Sequence, residues 1–183
     1  SIASKANPFP GFGNSLRPES VLQQMKESLV ALKSNSIDIF YLHAPDHATS
    51  IEKTLEACQG LYEKGCFKEL GLSNYASWQV VQIWHICEKN KWVKPTVYQG
   101  MYNGITRDVE RELIPALRTY GIRFYAYNPL AGGLLTGSYS SLEEKPSSGR
   151  FAQSTEIGKK YQERYWKEEY FTALAIIRNA CEQ

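Results

Sequence analysis

Short apolar runs, each closed by a polar residue and followed by a stretch of helical period, recur roughly thirty residues apart along this chain. The closing residues are Lys5, His43, the pair Ser73 and Asn74, Gln99 and Asn128. Strands buried on both faces read as nearly unbroken apolar sequence, and such strands alternating with amphipathic helices form a parallel sheet covered by helices. In sheets of this kind chemistry collects at the carboxyl ends of the strands, which makes the closing residues the first candidates for a site. The pattern by itself leaves two architectures open, an open doubly wound sheet and a barrel.

The local signals place the elements. A first strand covers residues 2–6. A helix follows over 19–33, with Pro18 at its entry and Leu22, Met25, Leu29 and Leu32 returning to one face. Residues 37–43 form a buried strand. Thr49 with Glu52 fits a capping box before a helix to about residue 63, with Ile51, Leu55, Cys58 and Tyr62 aligned and Gly65 ending it. A strand over 69–73 precedes a helix over 77–90 on which Val80, Trp84 and Cys87 share a face, and 96–99 is a short strand. A helix capped by Thr106, with Asp108 and Glu110 near its start and Leu113, Leu117 and Tyr120 along its face, ends at Gly121. A strand over 122–127 stops before Pro129. Residues 131–162 read as irregular, and a last helix covers 168–179. Five strand-like units are thus expected, whereas a closed (β/α)8 barrel needs eight.

With 43% hydrophobic residues in 183, the chain can bury the core of one domain, and residues 1–183 are read as a single, partial domain. The net charge of +2 makes no case for nucleic acid or a membrane surface as partner. No apolar run reaches the ~18 residues of a spanning helix, and Ser1 opens no recognisable signal segment. The cysteines at 58, 66, 87 and 181 form no C-x-x-C pair and read as packed thiols in a reducing compartment. Twelve tyrosines and four tryptophans suit either a layered core or a pocket for flat ligands.

Lys5 and His43 close what should be adjacent strands, about 4.8 Å apart, so both side chains can reach one small site. A lysine there lowers the pKa of a neighbouring acid by stabilising its anion, and a neutral histidine orients a carbonyl. The plainer reading is a surface lysine and a strand-end histidine. His47 sits in a loop near the expected mouth and His85 within a helix; a surface role suits both. No histidine and carboxylate set has metal spacing, so no metal is expected. Ser73, Asn74 and Gln99 gather hydroxyl and amide groups at one rim, fit to bind an amide. Alternation puts Tyr125 and Tyr127 on one side, with Tyr127 able to stack on a flat ring. Gly132 and Gly133 allow close backbone approach to phosphate oxygens, and Arg150 can pair with a phosphate, though a flexible turn and an exposed loop arginine are the commoner explanations. Neither a G-x-G-x-x-G turn after a strand nor a P-loop motif is present, which removes support for Rossmann dinucleotide binding and P-loop nucleotide hydrolysis.

The runs Ser4-Lys5-Ala6, residues 40–47 (FYLHAPDH), 71–75 (GLSNY), 98–103 (YQGMYN) and 128–137 (NPLAGGLLTG) resemble the aldo-keto reductase family, and most closely its aflatoxin aldehyde reductase branch. The resemblance implies an α/β fold, a (β/α)8 TIM barrel incomplete in this chain at about five of eight strands. It implies NADPH-dependent reduction of aldehydes and ketones, including dicarbonyls and succinic semialdehyde. By motif, Lys5 and His43 correspond to two members of the family's catalytic Asp, Tyr, Lys and His set. Ser73, Asn74 and Gln99 resemble its nicotinamide-carboxamide contacts, Tyr127 its stacking aromatic, and Asn128, Leu130 and Gly132 its loop near the cofactor phosphates. The family's aspartate and tyrosine precede the lysine strand, so this chain resembles the central part of such an enzyme, expected to be inactive alone. A small carbonyl substrate, a cytoplasmic location and a homodimer are the matching expectations, with neither nucleic acid nor membrane as partner. A noncatalytic regulatory or scaffold protein of the same fold and a degenerate truncated paralogue are the alternatives.

Overall fold

The computed structural model describes residues 1–9, 11, 13–144 and 146–181. Five strands, β1 (Ala3–Ala6), β2 (Ile37–Leu42), β3 (Phe67–Ser73), β4 (Pro95–Met101) and β5 (Arg123–Tyr127), lie side by side in chain order. The pairs β1 with β2, β2 with β3 and β3 with β4 are parallel. A doubly wound sheet reverses its strand order at a switch point, whereas a barrel adds each strand beside the last. The unreversed order decides between the two architectures: the chain is a partial (β/α)8 barrel whose five-stranded sheet is not closed.

By packing density the chain divides into two compact units, residues 1–100 with 109–125, and residues 101–108 with 126–183. In the first unit, helices α1 (Pro18–Leu32), α2 (Ile51–Glu63), α3 (Ser77–Asn90) and α4 (Leu113–Thr119) cover one face of the sheet. Phe40 and Leu42 of β2, Leu70 and Leu72 of β3 and Tyr98 of β4 point to these helices and meet Val21, Met25, Leu55, Cys58, Val80, Ile83 and Cys87. Burial pushes the Cys58 and Cys87 thiols up to about 12, so both remain protonated core residues.

Helix α1 turns inward only part of the expected stripe. Met25 is buried and Leu29 packs against the core, Leu22 and Leu32 are 41% and 42% exposed, and Val21 and Gln24 are buried in addition. Gln24 enters the core because its amide is fully used: it accepts from the Asn7 amide at 2.7 Å and donates to the Ser15 carbonyl at 3.0 Å and the Ser20 hydroxyl at 3.2 Å. The chain leaving β1 is thereby fixed just beyond Lys5. Likewise the Thr49 and Glu52 capping box does not form. Ser50 is the cap residue of α2, and the Thr49 hydroxyl donates to Asp46 instead, at 2.8 Å. On α2, Tyr62 is 41% exposed, its ring tilted over Phe67.

The helix expected from Thr106 is broken in two, a 3-10 turn at Asp108–Glu110 and then α4. Pro115, third residue of α4, has no N–H and its ring blocks the carbonyl four residues earlier, so a helix can begin there but not run through.

In the second unit, Ala131, Leu134, Phe151, Tyr165 and Leu174 form a separate small core. Within the stretch read as irregular lie 3-10 turns at Ala131–Thr136 and Gly149–Phe151 and the helix α5 (Glu156–Tyr165); α6 spans Glu168–Cys181. The Thr155 side chain caps α5 by accepting the Gly158 amide at 2.9 Å. Among the described residues no helix is long and apolar enough to cross a membrane, and no group of three or more His, Cys, Asp or Glu could hold a metal ion.

Candidate functional site

The strand register puts the candidate residues of the first unit on the sheet face away from the helices. Lys5 is paired with Tyr41, Tyr41 with Gly71 and Gly71 with Val97. Residues in register on parallel strands share a face, and these four form one row across it. Tyr41, Val97 and Ile39 make a small cluster apart from the helix-facing core, all at most 4% exposed. The Tyr41 ring lies flat across Gly71, where a Cβ would stand only 2.3 Å from it. The Lys5 ammonium sits 5.4 Å from the centre of the same ring. The ammonium thus lies over the face of a buried aromatic ring.

One step toward the strand ends, Ser73 is paired with Gln99. His43 follows Tyr41 by two residues, so alternation gives it the same face, and its amide extends the ladder by donating to the Ala6 carbonyl at 2.9 Å. Burial holds the His43 pKa below its ordinary value, and the Lys5 charge lowers it further. The two residues are therefore electrostatically coupled, and His43 is neutral at physiological pH, the form that can both donate and accept a hydrogen bond. The Phe9 ring packs edge-on against it, with 5.6 Å between centroids.

Asn74 leaves β3 in the left-handed region, φ 60°, a conformation asparagine tolerates better than most residues. Its amide donates to the His43 carbonyl at 2.9 Å and to the Ser73 hydroxyl at 3.1 Å, tying the ends of β2 and β3 together. Ser73 is 1% exposed and supports Asn74 from below. The half-buried Gln99 makes no side-chain hydrogen bond to another described residue. Two other tyrosines near these strand ends are spoken for. Tyr75 donates to the Ala44 carbonyl at 3.2 Å and Tyr98 to the Tyr75 carbonyl at 2.7 Å, both buried, and burial pushes the Tyr75 hydroxyl well above its ordinary range. Neither can act as an acid toward a ligand.

The loop after β2 is built around Asp46. Burial opposes its ionisation, but it accepts from the Leu16 amide, the Thr49 hydroxyl and the Ala48 amide, and the sum lowers its pKa. His47 is exposed beside it and lines a cavity of about 190 Å³ with Tyr75, Gln79 and Ile83. His85 lies 3.1 Å from the Tyr120 hydroxyl on the helical side. Neither histidine faces the Lys5 row.

The remaining candidates form a group in the second unit. Burial raises the Tyr127 pKa, and Arg164, Tyr165 and Tyr161 lie within electrostatic range of it. Asn128 follows at φ 55°, its carbonyl accepting from the Asn103 side chain at 3.0 Å and from the Ala131 amide at 2.9 Å. Leu130 is 53% exposed. Gly132 and Gly133 both adopt positive φ, at 73° and 112°, and a Cβ on Gly133 would meet nothing within 4 Å. Arg150, 18 residues on from Gly132, is drawn to this loop by Tyr161: its guanidinium donates to the Tyr161 hydroxyl at 2.9 Å, and that hydroxyl donates to Asn128 at 2.9 Å. The sequence reading missed Tyr161 because it lies on the unrecognised helix α5. Thr155 followed by Glu156, a cap and a first-turn acid, was the available signal.

Chemically, the first group offers one cation, one neutral imidazole and two amide side chains at the ends of four consecutive strands. The second offers a half-buried aromatic, a glycine turn open on one side and an arginine with no carboxylate partner among the described residues. Taken separately, the first group suits a ligand bearing an amide and the second one bearing phosphates.

The model of the aldo/keto reductase family matches residues 1–182. Aflatoxin B1 aldehyde reductase member 2 of Rattus norvegicus is 54% identical over 181 residues, covering 98% of this chain and 48% of the relative. The Homo sapiens protein of the same name is 54% identical, with 98% and 50% covered, and the Homo sapiens aldo-keto reductase family 7 member A3 is 52% identical, with 98% and 54% covered. The chain spans about half the length of the curated relatives it matches.

Proposed function

The chain belongs to the aldo/keto reductase family, in its aflatoxin B1 aldehyde reductase branch, and we propose that its full-length protein reduces aldehydes and ketones with NADPH. Dicarbonyls and compounds like succinic semialdehyde are the substrates in view, and a soluble cytoplasmic enzyme built as one domain is the setting. The observation that carries the reading is the placement of Lys5 and His43 at the ends of neighbouring paired strands, with the Lys5 charge helping burial to keep His43 below its ordinary pKa.

NADPH, when bound, supplies the two electrons and one hydrogen that reach the carbonyl carbon; a proton completes the alcohol at oxygen. The chain's own residues prepare that second event. His43, neutral because it is partly buried beside a cation, donates a hydrogen bond to the carbonyl oxygen and so fixes its orientation. The Lys5 ammonium stabilises the anion of the neighbouring proton donor, which eases proton release as negative charge grows on the substrate oxygen. In the family that donor is a tyrosine preceding the lysine strand, and none of the tyrosines in this chain takes its place. Asn74 and Gln99 would hold the nicotinamide carboxamide, with Ser73 supporting Asn74 through its hydroxyl. By the family resemblance, Tyr127 would stack on the ring, and Asn128, Leu130, Gly132 and Arg150 would serve the phosphate-bearing part.

The purified full-length protein is expected to oxidise NADPH in proportion to added carbonyl compound and to release the matching alcohol. NADPH binding without turnover of any aldehyde or ketone would defeat the enzyme reading and favour a regulatory or scaffold role for the same fold.

A further inference from the structure

Asn128 and Gly132 of one loop and Arg150, 18 residues on from Gly132, each touch Tyr161. Its hydroxyl accepts from the Arg150 guanidinium and donates to the Asn128 side-chain oxygen, both at 2.9 Å. Its ring lies against the Gly132 backbone so closely that a Cβ there would come within 2.6 Å. The Arg150 guanidinium carbon is 5.5 Å from the ring centre, and the Phe151 and Tyr165 rings pack against Tyr161 with centroids 6.0 and 6.2 Å away.

We propose that Tyr161 is a positioning residue, holding Arg150 and Asn128 in the orientation that receives the phosphate groups of the dinucleotide. The assignment rests on the cofactor reading above. A phenol suits the task because it accepts a hydrogen bond from arginine without cancelling its charge, as a carboxylate would, so the cation and its other N–H donors stay available for an anion. The same phenol has one proton to give, and giving it to the Asn128 oxygen sets the amide's orientation, leaving the NH2 end outward as a donor. Gly132 is glycine for two reasons that coincide here: its backbone is left-handed, and the ring occupies the space of a side chain.

The test is a double-mutant cycle in the full-length protein with NADPH as the titrated probe and its dissociation constant, not turnover, as the readout. Tyr161→Phe keeps the ring over Gly132 and removes only the hydroxyl; Arg150→Ala acts on an exposed residue and leaves the small core untouched. We expect Tyr161→Phe to weaken NADPH binding about tenfold with an unchanged unfolding midpoint. The double variant should lose clearly less affinity than the two single losses combined, since part of the hydroxyl's effect acts through the arginine and only the Asn128 share is left to lose. Unaltered affinity in Tyr161→Phe, or losses that add fully in the double variant, would overturn the positioning role while leaving the cofactor reading intact. Failure of the unsubstituted protein to bind NADPH would overturn both.

Discussion

On the proposed function, Lys5→Met in the full-length protein is expected to lower kcat for carbonyl reduction by about two to four orders of magnitude while changing NADPH affinity by less than about threefold, the range and pattern expected when a group assisting proton transfer is lost. Methionine retains an unbranched apolar stem of similar length, so the packing of the side chain on the Tyr41 ring survives and only the cation is removed. Without that charge the anion of the proton donor is less stable, and proton release to the substrate oxygen becomes harder. Steady-state kinetics with separate kcat and KM values, together with NADPH titration, distinguishes this from lost binding. Turnover within about threefold of the unsubstituted enzyme would remove Lys5 from the chemistry.

The second large effect falls on the scaffold under Lys5. Gly71→Ala is expected to destabilise the first unit by about 1–3 kcal/mol, the usual cost of forcing an extra group into a packed interior. The introduced Cβ would lie 2.3, 2.5 and 3.0 Å from three atoms of the Tyr41 ring, which is itself 2% exposed and confined by Ile39 and Val97. Gly71 does not have a positive φ, so the cost is steric and belongs to the ring. The compensating change follows directly: Tyr41→Leu in the Gly71→Ala background frees the space and recovers part of the lost stability. Urea unfolding measures both. An alanine variant within about 0.5 kcal/mol of the parent would show that the ring can shift freely, and the close β2 to β3 approach would then not be what fixes the row.

Much of this architecture was legible before any coordinates. The five strands stand where unbroken apolar runs predict them because a parallel strand covered on both faces leaves its signature in every residue. Their polar endings marked out Lys5, His43, Ser73, Asn74 and Gln99 as strand-end residues. Strand order was not legible, since the apolar pattern is the same for a barrel and a doubly wound sheet. That choice came from family resemblance and then from the unreversed β1 to β5 order. The errors were also physical. Leucine spacing on α1 placed Met25 and Leu29 inward correctly but Leu22 and Leu32 wrongly, because a buried glutamine, satisfied by loop backbone, shares the inward face with Val21 and Met25. Pro115 split a helix that periodicity ran together.

Helix α5 escaped notice because it is strongly polar and carries a glycine in its first turn. Gly158 has to be glycine there, as a Cβ would stand 1.8 Å from the Ala152 carbonyl oxygen. Missing α5 meant missing Tyr161, and with it the link between Arg150 and Asn128. Composition and spacing give no hint that residues 128, 132 and 150 share one phenol.

A carbonyl-reducing site in this chain requires Lys5 and His43 to feel one another. NMR titration of the His43 ring in the full-length protein and in its Lys5→Met variant measures this without reference to turnover. Burial and the Lys5 charge both hold His43 below its ordinary pKa, so removing the charge relieves one of the two causes. The prediction is an upward movement of the His43 pKa in the variant, with part of the depression remaining from burial. An unchanged or lower value would mean that the two side chains do not share a site, and the carbonyl-reducing arrangement would have no basis in this chain.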